Sequence, residues 1–172
     1  MPIAVVPFAQ ANSAKNAVVI TQIIRQDLQN SGQFNPLVQR NMPEFPHVMT
    51  DINMNAWRGK GIDNVVTGHV KALAKQQYRI HYELISAYGN RSKGQNPRII
   101  VQGQTLLSQT FTVPKKALRA LAHHIADTIY QTLTGQRGIF STKIAYVLVA
   151  TNVQHKKTYR LQVADYDCDA NR

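Results

Sequence analysis

The stretch DNVVTGHVKALAKQQYRIHYELISAY, residues 63–88, holds two runs in which apolar and polar side chains alternate. In the second run Tyr78, Ile80, Tyr82 and Leu84 fall on one side and Arg79, His81 and Glu83 on the other. A period of two over this length is the pattern of half-buried strands. It predicts two long strands, 63–73 and 77–88, in an antiparallel sheet with one open face. After the polar stretch GNRSKGQNP, the run RIIVQGQTLLSQTF, 98–111, supplies a third strand, with a kink expected at Gly103.

Working outward, the buried-strand run IAVVPF, 3–8, leads to Ser13, a helix N-cap by type. A helix follows over 13–31, where Ala17, Ile20, Ile24 and Leu28 recur at helical spacing and Gly32 is the stop. FNPLVQ, 34–39, is a short strand that Pro36 confines to an edge, and 40–52 has no period. A short helix at 53–61 plants Trp57 in the core. The strongest helical pattern covers 112–134: Thr112 as cap, Pro114 in the first turn, a stripe of Leu118, Leu121, Ile125, Ile129 and Leu133, then Gly135 as the stop. Two β-rich runs, 142–151 and 157–166, flank the polar connection NVQHK as a hairpin. The predicted class is α/β of the α+β type: a mixed or antiparallel sheet with both long helices on one face, followed by a β-hairpin.

With 172 residues and 44% hydrophobic content the chain can bury one sizeable core plus an appendage. Its net charge of +11 suits an anionic partner without naming one. Cys168 is the single cysteine, so neither an internal disulfide nor a multi-thiolate zinc site can form. MPIAVVPFAQ lacks the basic flank of a signal peptide, and IAYVLVA, 144–150, is too short to span a bilayer. No membrane span is expected.

Signs of chemistry are few. GKGID and LTGQRG lack the order of a phosphate-cradling loop and read as caps and turns. His123 and Asp127 share a helical face, but a metal would need further ligands, and a polar face is the plainer reading. His69 and His81 belong to the open sheet face. Asp165, Asp167 and Asp169 imitate the start of an EF-hand loop, yet Ala170 stands where the turn glycine is required. Lys115, Lys116 and Arg119, with Arg91, Lys93 and Arg98, could face a phosphate backbone. No recognition helix or stacking aromatic pair accompanies them, so a solvated basic surface is preferred and nucleic acid is not expected. No catalytic residue, metal or cofactor is assigned.

Taken in order, PIAVVPF, DLQNSGQFNPL (27–37), WRGKGIDNVVTGHV (57–70), YRIHYELI (78–85), LTGQRGIFSTKIAYV (133–147) and YRLQVADYD (159–167) resemble the TolB family of the Tol-Pal system of Gram-negative bacteria. The opening and VVTGHV are also similar to those of curli-secretion and peptidoglycan-synthase-activator lipoproteins. The TolB resemblance implies an anticodon-binding-like α/β domain over 1–138 and the truncated start of a β-propeller over 139–172, with the hairpin 142–166 and Cys168 where glycine is usual. It implies a non-enzymatic periplasmic scaffold in envelope integrity, protein transport and cell division, with TolA and Pal as partners. TolA binding would use an extended segment that ends where Met1 begins, and Pal binding would use the propeller, so this chain is expected to bind both poorly. The partner or interdomain residues it implies are Met1, Pro2, Ile3, Gly135, Gly138, Phe140, Ile144, Tyr146, Asp165, Tyr166 and Asp167. The hairpin, rich in strand formers, is expected to dock on its own domain or to self-associate through 142–166 rather than fray.

Overall fold

A computed structural model describes residues 1–10, 14–88, 103–151 and 156–165. In chain order the elements are β1 (Pro2–Val5), β2 (Ala9–Gln10), α1 (Ala14–Asn30), β3 (Asn35–Pro36), α2 (Met54–Gly59), β4 (Asn64–Ala72), β5 (Gln77–Ser86), β6 (Gln104–Pro114), α3 (Leu118–Thr134), β7 (Lys143–Thr151) and β8 (Lys157–Asp165). The first six strands form one mixed sheet in the order β3-β1-β4-β5-β6, with β2 also on β4; β7 and β8 pair only with each other. β1 is parallel to β3 and β4, whereas β4, β5 and β6 are antiparallel. No described helix is long and apolar enough to cross a membrane.

The alternation in β5 is realised as expected. Ile80, Tyr82 and Leu84 join Val66 and Val70 in a core cluster with Ile20, Ile24 and Leu28 of α1 and Leu121, Ile125 and Ile129 of α3. Both long helices therefore lie on one face, each by its own apolar stripe. β1 instead buries Ile3, Ala4 and Val5 in succession. A strand covered on both faces has no polar side, which is why its sequence does not alternate.

That double cover corrects the expectation of one open face. Ala4, Val6 and Val65 point away from the helices and are sealed by Met42, Trp57 and Ile62 from the segment between β3 and β4. Trp57 is fully buried, and its indole N–H donates to Glu44 Oε1 at 2.7 Å. The aperiodic stretch 40–52 winds through short 3₁₀ turns, Gln39–Asn41 and Met49–Asp51.

Two further expectations are corrected around β6. Gly103 precedes the strand, and the irregularity lies beside Leu106, where Leu84 pairs with Leu107 and Ile85 with Thr105. Thr112 does not cap a helix: it pairs with Arg79, and Pro114, paired with Gln77, ends the strand in extended geometry. Sheet pairing outbids the local cap signal, and proline at a strand end gives up no ladder donor. Lys115–Ala117 form a 3₁₀ turn, and α3 starts at Leu118. Ser13 and residues 98–102 of the predicted third strand lie outside the described residues, as do Arg91, Lys93 and Arg98.

Substituting Ile125→Asp should destabilise the fold by about 3–5 kcal/mol, because a fully buried site would receive an unpaired carboxylate. Denaturant unfolding measures this, and an unchanged midpoint would mean that α3 presents a different face. The β4–β5 turn places Lys75 and Gln76 both at φ 56°, the geometry of a type I′ turn without its usual Asn-Gly. Replacing them together, Lys75→Asn with Gln76→Gly, should stabilise by about 1 kcal/mol and raise the melting temperature by about 2–4 °C.

Candidate interaction site at the hairpin junction

The route from α3 to the hairpin is held by one carboxylate. α3 ends at Gly135, whose φ of 74° lets its N–H reach Gln131 O at 2.8 Å. The chain then doubles back, and Asp127 of α3 accepts from Phe140 N at 2.7 Å, Ser141 N at 3.0 Å and the Ser141 hydroxyl. Hydrogen bonds to a charged acceptor are the stronger kind. Gly138 passes so close that a Cβ there would strike the Asp127 carboxylate and lie 2.8 Å from its Cα. Phe140 is buried edge-on against Tyr130 at 5.7 Å, and Tyr130 meets Phe34 in the same way at 5.9 Å.

Phe34 connects this junction to the N-terminus. The Met1 amino group donates to Gln33 O at 2.5 Å, Asn35 N donates to Met1 O at 2.9 Å, and Pro2 pairs with Asn35. Of the three N-terminal residues implicated by sequence, Met1 is exposed and Pro2 half-buried, while Ile3 is fully buried between Pro36 and Asn64. Ile3 is thus part of the core.

At the root of the hairpin Asp165 lies 3.7 Å from Arg119 Nε and, across the ladder, 3.8 Å from Lys143 Nζ. These groups, with Lys116, His123 and Phe140, line a cleft of about 360 Å³. A smaller one of about 240 Å³ lies between Asn30, Tyr130, Arg137 and Phe140. Cations at the rim and an aromatic floor suit docking of an acidic or amphipathic chain segment.

Beyond its root the hairpin stands in solvent. Every residue of β7 is exposed, Ile144 and Tyr146 included. Tyr166 and Asp167 lie outside the described residues. Of the residues implicated by sequence, Gly135, Gly138, Phe140 and Asp165 lie at this junction; Asp127 and Arg119, weighed above for a metal face and an anionic surface, and Tyr130, which the sequence did not single out, contact them there. The nearest signal was Asp127 as the single acidic side chain of α3.

His123, His69 and His81 sit in contacts within the fold. His123 Nδ1 lies 2.7 Å from Asp27 Oδ2 in the buried space between α3 and α1. It does not join Asp127, and among the described residues no three His, Cys, Asp or Glu side chains gather as a metal site. His69 and His81 meet across β4 and β5 with ring centroids 5.1 Å apart and planes tilted by 38°, with His81 Nδ1 at Thr110 Oγ1 and its Nε2 3.6 Å from Glu83. Burial, then the neighbouring His81, holds His69 below the ordinary imidazole range despite the opposing pull of Glu83.

Comparison with known proteins places this geometry. The family model of the TolB amino-terminal domain matches residues 1–92. The Tol-Pal system protein TolB of Coxiella burnetii is 40% identical over 169 residues, covering 97% of this chain and 36% of that protein. Its counterpart from Nitrosococcus oceani is 37% identical over 167 residues, with 97% and 35% covered. The crystal structure of TolB from Acinetobacter baumannii superposes with a TM-score of 0.75 at 34% identity, across 98% of this chain and 36% of that one. The chain therefore spans roughly a third of the length of these relatives. By the match of its first 92 residues, the chain belongs to the TolB amino-terminal domain family.

Proposed function

We propose that the chain serves the Tol-Pal envelope system as a non-catalytic periplasmic scaffold, supporting contacts with TolA and Pal that maintain the outer membrane and aid cell division. One observation carries this reading: similarity to TolB runs through the α/β body and the hairpin alike, over 98% of the chain in the superposition. Residues 1–138 act as the folded body and 139–172 open a second unit. The ring series Phe34–Tyr130–Phe140 and the Asp127 clamp give the N-terminal strand and the hairpin root a shared mechanical support. A scaffold that senses one partner at the N-terminus and another beyond the hairpin needs such a rigid middle.

Deleting the gene should release periplasmic enzymes into the medium, sensitise cells to detergent and delay septation, and crosslinking in cells should recover TolA and Pal only weakly with the 172-residue chain itself. An intact envelope in the deletion strain would overturn the reading. The clamp has its own test. Asp127→Ala leaves the Phe140 and Ser141 amides without their acceptor, and should cost about 2–3 kcal/mol and speed amide exchange across 138–142. Exchange at the wild-type rate would show that the loop is held by other contacts.

A further inference from the structure

On the sheet face turned away from the helices, the covering segment between β3 and β4 reaches as far as Glu83, whose Oε2 accepts from Met49 N at 2.9 Å. Towards the β4–β5 turn the same face carries Lys71, Arg79, Thr110 and Thr112, all exposed, with His69 and His81 half-buried among them. Two cross-strand pairs stand side by side there. Lys71 is opposite Arg79 and His69 is opposite His81, and the pairs lie about 7 Å apart along the strands. Cations set directly across a ladder destabilise it, so strand pairing gives no reason for Lys71 against Arg79. On the neighbouring strand β6, Thr110 is paired with His81 and Thr112 with Arg79, which adds two hydroxyls to the cluster.

The charge at this end of the sheet is one-sided. Glu83 is the sole acidic residue of β4, β5 and β6, and it is engaged by Met49 N and His81. Lys75 in the β4–β5 turn and Lys115, whose N–H donates to Gln76 O at 3.1 Å, bring two further exposed cations to the same end. Among the described residues none of Lys71, Lys75, Arg79 and Lys115 forms an ion pair with a carboxylate. Their charge is available to a partner.

We infer that this basic end of the sheet is a docking surface for the phosphodiester headgroups of an anionic bilayer, with Lys71 and Arg79 at its centre. Other anionic partners fit it less well. Single-stranded nucleic acid calls for aromatic stacking platforms and a protein interface for a buried apolar anchor, whereas this patch offers cations, imidazoles and hydroxyls. A small free anion is held in a concave site, and three paired strands present an open face. A headgroup layer asks only that several cations approach it together, and each one that does adds to the attraction.

The imidazoles make the surface sensitive to pH. His69 is faced by His81 and Glu83 from β5 and by His47 from the covering segment; burial, then His81, holds it below the ordinary imidazole range. A phosphate beside it favours the protonated form, so binding should tighten as pH falls from about 8 to about 5.5.

This inference rests on the placement of charge and not on the Tol-Pal reading. Its test is flotation of the purified 172-residue chain, at low ionic strength, with vesicles of phosphatidylglycerol and phosphatidylcholine in equal parts, beside vesicles of phosphatidylcholine alone. Only the anionic vesicles should carry the chain, and added salt should release it. Lys71→Glu with Arg79→Glu should weaken binding at least tenfold. Arg79→Glu alone sets opposite charges across the ladder, so binding should fall while the melting temperature holds or rises, which separates lost binding from lost fold. Lys157→Glu with Arg160→Glu on the hairpin makes the same change in net charge and should leave binding within about threefold of the wild type. His69→Gln with His81→Gln should flatten the pH dependence. No flotation with anionic vesicles, an equal loss in the two double charge reversals, or tighter binding to single-stranded RNA than to the vesicles would overturn the assignment.

Discussion

Helices α1 and α3 share one face of the sheet because each carries a single apolar stripe and neither can bury it alone. The rest of the molecule is arranged by that constraint. Leu28, Ile24 and Ile20 from one helix and Leu121, Ile125 and Ile129 from the other are all nearly or fully removed from water, and full burial of such a side chain contributes about 1.5–3 kcal/mol. Between them lies the contact of Asp27 with His123, 2.7 Å long and closed to solvent. A hydrophobic pair of the same volume could be as stabilising. The polar contact adds direction: it fixes which turn of α3 faces which turn of α1, a choice that apolar stripes alone leave open by a residue or two.

Once α3 is fixed in rotation, its other side chains acquire addresses. Two residues beyond Ile125, Asp127 comes out at the rim where the returning loop passes, and there it caps the amides of Phe140 and Ser141. Five residues beyond Ile125, Tyr130 stands between Phe34 and Phe140. Near the start of the helix, Arg119 reaches Asp165 at the root of the hairpin. The body and the hairpin root are thus coupled through one helix, whose orientation is itself set by core packing.

The parts of this fold that were legible in the sequence are those whose apolar residues recur with a regular period. β4 and β5, the stripes of α1 and α3, and the hairpin all announce themselves by period, and all stand where expected. Strand β1 could be seen as a strand, but not its parallel partners, because Ile3, Ala4 and Val5 carry no information about direction. The cover over the second face was illegible for a related reason: Met42, Trp57 and Ile62 are far apart in sequence and share no period. Thr112 and Pro114 were misread because cap chemistry and strand chemistry use the same residues, and the pairing of Arg79 with Thr112 decides between them. At the candidate site the glycines and Asp165 were visible as punctuation, whereas Asp127, Tyr130 and Arg119 act through contacts that only the assembled helix creates.

The same logic separates the body from the hairpin in energetic terms. In the body each apolar surface has an opposing layer: α1 and α3 on one side, the β3–β4 segment on the other. In the hairpin the sequence has the composition of a layered sheet, yet Tyr159, Leu161 and Val163 stay in solvent, while Ala164, on the opposite face near the root, is buried. The ion pairs of Asp165 are partly exposed and contribute little on their own. The hairpin's position relative to α3 therefore rests on the loop at 138–141, where Asp127 gathers two amides and a hydroxyl around one charge. A segment fixed at its root and unsatisfied along its length is what a docking element requires: orientation comes from the clamp, and the driving force comes from the surface left open.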